Sequence, residues 1–423
     1  MDINEILRGV DCTCAKGRHE CDIEHVYIEK GAISRLAELC AAYRSILVVA
    51  DENTYGAAGE AVEAALLGKI AKRVVFSGKT ILIPDEVAIE RVKETLLGID
   101  LIVGIGSGVI QDLSKYVSHF ERIPYMVVAT APSMDGYAST GAAMILGGMK
   151  ETVPAGLPRA IVADTEVLRN APIDMIKAGY GDIIGKYSAL NDWKLSACVN
   201  GEYFCQYIYD VTYKMIENTL ATADGLLKRD EESVKAIMEA LVIVGIMMSF
   251  AGSSRPASGS EHHLSHFFEI VGIVKNEFYF THGIDVVYST VITAEIREKL
   301  LGIKFPERSY EMARWEYEDT IRDIYGPVGD GCIALQDRIG NYKKDRAPIY
   351  LEKENEIKAI LSEMPTANEI QKMLSLVGLD ISEFYSAYGE EKIKNAIRYA
   401  KDLKDRYTVL WVYYDMLGGE END

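Results

Sequence analysis

The chain has 423 residues, 48% of them hydrophobic and 26% charged, a composition that supports a packed core and excludes an intrinsically disordered chain. This length suits two domains, or one large domain with a satellite. Lysine plus arginine number 45 against 64 for aspartate plus glutamate, giving a formal net charge of -19. So acidic a surface repels a phosphate backbone, which argues against nucleic acid or an anionic membrane as partner; an anionic small substrate would need a local cationic site.

In chain order, the acidic start Met1-Asp2-Ile3-Asn4-Glu5 lacks the basic-then-apolar pattern of a signal peptide. Continuous apolar runs at 45–50, 73–76, 101–105, 125–129 and 160–163 are predicted strands, each followed by a helical pattern. Such strands predict a parallel sheet covered on both faces. From about Ala171 strand-like runs nearly vanish, and helices are predicted over 182–198, 231–250, 286–301 and 393–417. The longest apolar run, 240–251, falls short of the roughly 20 residues of a membrane span and reads as a buried helix. The expected fold class is α/β: a Rossmann-like parallel-sheet domain over residues 1–170, then an all-helical domain over 171–423. Seven cysteines, an odd number, fit a reducing cytoplasm better than a disulfide framework.

Several residues carry potential chemistry. Gly104-Ile105-Gly106-Ser107-Gly108 follows a predicted strand and opens a helix. Glycines there let backbone amides approach a pyrophosphate, although a tight strand-to-helix turn uses them equally. The hydroxyl-rich loop Thr130-Ala131-Pro132-Ser133-Met134-Asp135-Gly136-Tyr137-Ala138-Ser139 follows the fourth strand, at the sheet end where ligands bind in open parallel sheets. Four of the seven histidines, His262, His263, His266 and His282, fall within 262–282. His262 and His266 are four apart and share a helix face. Imidazole is a common metal ligand, and a catalytic site keeps three protein ligands with one open position, so two of these histidines would need a third donor. Asp182 is a candidate carboxylate; on pattern alone it reads as the N-cap of an apolar helix. Cys12-Thr13-Cys14, with His19 and Cys21, could be a zinc site, but the spacing matches no common zinc-finger pattern, and ordinary thiols in a reducing compartment are the plainer reading.

Taken together, these residues resemble a known family. Gly106-Ser107-Gly108-Val109-Ile110-Gln111-Asp112-Leu113-Ser114-Lys115 is similar to the cofactor turn of the iron-containing alcohol dehydrogenase, glycerol dehydrogenase and dehydroquinate synthase superfamily. Thr130 to Gly136, Gly181-Asp182 with Lys186, Ser258-Gly259-Ser260-Glu261-His262 with His266, and Thr281-His282-Gly283 resemble its sn-glycerol-1-phosphate dehydrogenase branch. Arg406-Tyr407-Thr408-Val409-Leu410 and the stretch with Cys12, Cys14 and His19 are similar to the bacterial members. Little is recognisable between residues 305 and 390, and the charged segment 305–365 could carry an insertion or a divergent lid. The usual glycine triplet is here Gly106-Ser107-Gly108.

The resemblance implies reversible NAD(P)H-linked, metal-dependent reduction of dihydroxyacetone phosphate to sn-glycerol 1-phosphate, in phospholipid metabolism. It implies that Asp182, His262 and His282 bind one divalent metal, Zn2+ or Ni2+, and that Asp135, Asp182 and His266 meet the substrate, with Asp182 and His266 acting in catalysis. Asp51, Gly106, Ser107, Gly108, Val109, Ile110, Thr130, Ala131, Pro132, Ser133 and Ser139 would hold the dinucleotide. His263, about 100° around the helix from His262, is left as a neighbour of the site. The implied partner is a small phosphorylated triose, with no nucleic acid and no membrane span, and the implied protein is a cytoplasmic homo-oligomer, a homodimer or larger. One of the two cations Arg255 and Lys186 is expected to meet the phosphate, a salt bridge to a nearby acid being the alternative role for Lys186. Asp51 would favour NAD by pairing with the ribose 2′-hydroxyl, whereas Lys79 would favour NADP. Two alternatives stay open: a glycerol dehydrogenase acting on an unphosphorylated polyol, and a dehydroquinate-synthase-like cyclase.

Overall fold

The computed structural model describes residues 2–80, 82–147 and 149–418. The chain folds as two compact units, one formed by the residues up to 183 with 214–254, the other by 184–213 with residues from 255 onward.

The first unit is built on six parallel strands: β3 (His25–Glu29), β4 (Ile46–Asp51), β5 (Ile70–Phe76), β6 (Leu101–Gly106), β7 (Tyr125–Ala129) and β10 (Ala160–Asp164). They lie in the order β3-β10-β7-β6-β4-β5. β1 (Val10–Asp11) with β2 (Arg18–His19), and β8 (Gly141–Leu146) with β9 (Met149–Pro154), form two antiparallel hairpins. Both faces of the central strands are covered: Val48, Val103 and Val128 on one side, and Leu47, Ile102 and Val127 on the other, have no exposure. Each such side chain contributes about 1.5–3 kcal/mol by leaving water, which is why these strands read as unbroken apolar runs. β3 differs. Its burial alternates, as expected of an edge strand, and no continuous apolar run marks it in the sequence.

The sheet order reverses between β4 and β6: the chain leaves β4 for β5 on one side, then returns to β6 on the other. Register puts Ala50 beside Ile105 and Gly106 beside Ala129, so the carboxyl ends of β4, β6 and β7 lie side by side. A reversal of this kind leaves a crevice at the strand ends, where ligands of open α/β sheets bind. α1 (Glu52–Ala65) follows β4, and α3 (Gly108–Glu121) follows β6, with α2 (Glu86–Lys93) between them.

α4 (Ile173–Asn200) is a single helix of 28 residues. It starts nine residues before Asp182, so Asp182 is not an N-cap; it is a fully buried residue inside the helix. α5 (Glu231–Ala251) is capped by Asp230, which accepts from the Ser233 amide. The predicted run 240–251 is thus the second half of a 21-residue helix with the length and apolarity of a membrane span, and 78% of its most apolar window is buried inside the protein. A helix apolar on all sides suits the interior of a fold.

The second unit is helical. α6 (Ser260–Lys275) and α7 (His282–Gly302) carry the histidines and pack on each other. The segment from 305 to 390 forms a series of helices, including Arg314–Tyr325 and Ala367–Leu376, with Tyr317, Ile321, Tyr325 and Ile370 buried. The predicted helix over 393–417 is two: α8 (Ile381–Tyr399) and α9 (Val409–Leu417), separated by a 3-10 turn and an extended segment. The break places Lys401 and Asp402, both without exposure, in an ion pair of 2.8 Å. The Lys401 ammonium also sits 4.0 Å from the centre of the Tyr414 ring and 4.9 Å from that of Trp411.

Candidate functional site

The glycine turn stands where the sheet order reverses. A Cβ on Gly106 would fall 2.6 Å from the Ile110 Cβ, and one on Gly104 would fall 2.7 Å from the Ser114 Oγ. Those two positions therefore need glycine for the close approach of α3 to β6. Ser107 has φ -107, ordinary for any L residue, so the triplet's central serine costs no backbone strain. It occupies the N-cap of α3 without a side-chain capping bond. The first-turn amides of α3 thus face the turn as donors for an anion. The Gln111 Nε2 amide donates to the carbonyls of Gly104 and Gly106, both at 3.1 Å, and fixes the strand end beneath the turn. Asp51, across the reversal, accepts from the amides of Asn53 and Thr54 as the cap of α1.

The second loop leaves β7 at Thr130. The Tyr137 hydroxyl donates to the Ala131 carbonyl at 2.6 Å. Two glycines on helices let the loop pass close by. A Cβ on Gly179 of α4 would lie 1.8 Å from the Pro132 carbonyl oxygen, and one on Gly245 of α5 would lie 2.8 Å from that of Asp135. The Asp135 amide donates to the Asp182 carboxylate at 2.9 Å. Asp135 and Asp182, 47 residues apart, are therefore in direct contact. Lys115, fully buried on α3, donates to the carbonyls of Gly136 and Gly141, each at 2.8 Å, and lies 3.3 Å from the Ser139 Oγ. Sequence reasoning cited Lys115 only as part of the turn; its anchoring role depends on the fold bringing 115 and 136–141 together.

In the second unit, the ring centres of His262 and His282 are 5.0 Å apart, with His266 at 6.1 Å from His262 and 5.5 Å from His282. The His262 Nδ1–H donates at 2.7 Å to Glu261 Oε1, which also accepts from the Gly259 amide. That bond orients the ring and leaves Nε2 with its lone pair, as outer-shell carboxylates do for ligating histidines. Burial holds His262 and His263 well below the usual imidazole pKa, and it pushes the Glu261 carboxyl up. Neutral imidazole is the form that ligates metal. Glu269, one turn beyond His266, brings a carboxylate oxygen within 4.8 Å of ligand nitrogens on His266 and His282, a donor that the sequence reading did not single out.

The continuation of α4 fixes the start of α6. A Cβ on Gly185 would meet Val286 at 2.5 Å and the Glu261 Cγ at 3.4 Å. Ser188 and Ser260 hydroxyls are 3.0 Å apart, and the Ser260 amide donates to Asp192 at 2.6 Å. The other oxygen of Asp192 accepts from Arg297 and from the Val409 amide, both at 2.8 Å. This buried aspartate thus ties together α4, α6, α7 and α9, a role invisible in the sequence because its partners are 68 to 217 residues away.

Of the two expected phosphate cations, Arg255 is committed elsewhere. It is buried, forms a two-pronged ion pair with Glu202, and donates to the Tyr407 carbonyl at 2.7 Å. Lys186 is also buried, and its charge helps hold down the His262 pKa, as do those of Lys404 and Arg406. The last two, part-exposed, are the cations that sequence reasoning missed; they lie 142 and 144 residues beyond His262.

Comparison with known proteins agrees with this arrangement. Residues 27–172 match the family described as iron-containing alcohol dehydrogenase. The solved structure of sulfoacetaldehyde reductase from Bifidobacterium kashiwanohense in complex with NAD+ shares the fold, with a TM-score of 0.59 at 15% identity, over 94% of this chain and 97% of that one. Glycerol-1-phosphate dehydrogenase [NAD(P)+] from Bacillus licheniformis is 30% identical over 420 residues, covering 96% of this chain and 93% of that protein. Its namesake from Geobacillus thermodenitrificans is 33% identical over 349 residues, covering 77% and 85%. A parallel sheet with a glycine turn at its reversal, joined to a helical unit with clustered histidines, defines a member of the iron-containing alcohol dehydrogenase superfamily. Within it, the chain belongs to the glycerol-1-phosphate dehydrogenase family.

Proposed function

We propose that this chain is an NAD(P)-dependent, metal-dependent oxidoreductase that interconverts dihydroxyacetone phosphate and sn-glycerol 1-phosphate, with Asp182, His262 and His282 holding one divalent ion, zinc or nickel. The observation that carries this reading is α4. It is unbroken from Ile173 to Asn200 and bears Asp182 one turn ahead of Gly185, whose backbone lies against Val286 and Glu261, neighbours in sequence of the two histidines. The donor set fits such an ion: one buried carboxylate and two imidazoles, one of them oriented by Glu261. When bound, the ion supplies Lewis acidity toward the substrate's carbonyl oxygen, and the dinucleotide supplies or accepts hydride.

The chain's own residues do the rest. The amides of the turn at Gly106, Ser107, Gly108, Val109 and Ile110 bind the pyrophosphate, while Thr130, Ala131, Pro132, Ser133 and Ser139 line the second loop beside it. Asp51 meets the adenosine ribose and favours NAD. Asp135, tied through its amide to Asp182, orients the substrate. His266, one turn beyond His262, moves the proton at the substrate oxygen. The phosphate is met by Lys186, Lys404 and Arg406, the cations whose charges act on His262. In this reading residues 1–170 bind the dinucleotide, residues 171–423 hold the metal and substrate, and the protein is a cytoplasmic homo-oligomer.

The test is NADH oxidation by metal-reconstituted enzyme with dihydroxyacetone phosphate, run beside dihydroxyacetone, with the product assigned by enzymes specific for each glycerol phosphate enantiomer. Turnover on the phosphate giving the sn-1 product is expected, with loss of both bound metal and turnover in His262→Ala. Turnover on dihydroxyacetone alone would overturn the substrate assignment. Full metal content in His262→Ala would overturn the ligand set.

A further inference from the structure

The N-terminal hairpin holds a second cluster of metal-type ligands, which the proposed reaction does not use. Cys12, Cys14 and His19 each offer a ligand atom within 4.8 Å of the others. β1 and β2 pair Val10 with His19, the Cys12 amide donates to the Gly17 carbonyl at 2.8 Å, and the Gly17 amide donates to the Cys14 carbonyl at 3.0 Å. Gly17 has φ +70, a left-handed conformation that glycine adopts without cost and that closes the turn. These bonds bring the two cysteines and the histidine to one side of a tight loop, in spite of a spacing that resembles no common zinc finger.

The distances fit a shared ion. The Cys14 Sγ lies 3.4 Å from the His19 Nε2. A tetrahedral ion with Zn–S of about 2.3 Å and Zn–N of about 2.1 Å separates its sulfur and nitrogen ligands by about 3.6 Å. His19 is 1% exposed, and its ring stacks on Phe250 with centres 5.2 Å apart. Lys16, inside the turn, donates to the carbonyls of Phe250 at 3.0 Å and Ala251 at 2.8 Å, two groups that the end of α5 leaves without helical partners. The loop is thus a fixed structure seated on the end of α5. Among the described residues, no cysteine forms a disulfide.

We propose that Cys12, Cys14 and His19 form a second metal site, separate from the histidine cluster, that binds zinc or another thiolate-preferring divalent cation and pins the N-terminal hairpin to the end of α5. Cobalt replacement in the full-length chain tests it. Thiolate ligation gives a sulfur-to-cobalt charge-transfer band in the near ultraviolet, which an aspartate and two histidines cannot produce. The expected result is such a band in the Co2+-loaded protein, diminished in Cys12→Ser and in Cys14→Ser and absent from the double variant, which also binds one fewer metal equivalent per chain. A Co2+-loaded wild-type protein without the band would overturn the proposal, as would a band that persists in the double variant.

Cysteine alkylation of the native chain, mapped by mass spectrometry, needs no variant. Zinc is expected to slow modification of Cys12 and Cys14 by about tenfold relative to the chelated protein, because bound thiolates are not available as nucleophiles. Equal rates with and without zinc would overturn the site.

Discussion

Lys115 is an ammonium with no exposure, held by two backbone carbonyls and a hydroxyl of the loop that carries Asp135. Removing it while keeping its bulk strips both carbonyls of their charged donor and leaves the Ser139 hydroxyl to serve the two. Lys115→Met is therefore expected to cost about 2–3 kcal/mol, read as a lower urea midpoint at unchanged m, and to raise KM for NADH as the loop relaxes. An unchanged midpoint would mean that water replaces the ammonium. Asp285 supplies a pH test. It accepts from the Tyr388 hydroxyl at 2.7 Å, and burial pushes its carboxyl pKa well above the usual range. Such a group favours the fold fully below the unfolded-state value of about 4, and that contribution is lost as pH rises toward the raised folded value. Asp285→Asn keeps an acceptor for Tyr388 and removes the titration. It should raise Tm at pH 8 and have little effect at pH 4; a lower Tm at pH 8 would count against a protonated Asp285. At this scale the sequence was informative about residue types and silent about partners. The histidines clustered visibly, but Asp182 looked like a cap because its helix starts nine residues earlier than the apolar pattern suggested, and Arg255 looked available because Glu202 is 53 residues away.

The elements meet at glycines. Gly179→Ala would put a Cβ 1.8 Å from a backbone oxygen of the Pro132 loop, which cannot give way as a flexible side chain would. The expected cost is about 3 kcal/mol, the upper end for overpacking, with a larger loss of activity than of secondary structure because the displaced loop carries Asp135. Gly56 of α1 is the control. It is exposed, and a Cβ there meets nothing within 4 Å, so Gly56→Ala should stabilise by about 1 kcal/mol and leave activity unchanged. Equal effects of the two substitutions on Tm would show that the close approach at Gly179 is not rigid. Legibility followed burial at this scale too. The four inner strands and the buried end of β5 were readable as apolar runs, whereas β3, an edge strand that alternates throughout, was not. The two helices α8 and α9 read as one because the break between them is stabilised by a buried ion pair and an aromatic cage, features that resemble an amphipathic helix when only composition is seen.

For the whole molecule, a net charge of -19 sets long-range repulsion against a phosphorylated substrate, while the proposed phosphate cations Lys186, Lys404 and Arg406 would attract it near His262. The two effects differ in range. Repulsion from charges spread over the surface reaches about 30 Å at 0.01 M salt but only about 10 Å at 0.1 M. Attraction by buried or part-buried cations acts at contact distance, where there is little room for screening ions. Raising salt from about 0.01 to 0.1 M should therefore remove more repulsion than attraction, and kcat/KM for dihydroxyacetone phosphate should rise about threefold to tenfold. The neutral ketone dihydroxyacetone feels neither field, so any slow turnover of it should be flat over the same range. Because the effect lies in encounter, it should appear in kcat/KM and leave kcat nearly constant. A fall in kcat/KM with salt would show instead that the local cations steer the substrate from beyond contact distance. In that case Lys404→Met and Arg406→Met should abolish the salt dependence as well as weaken binding.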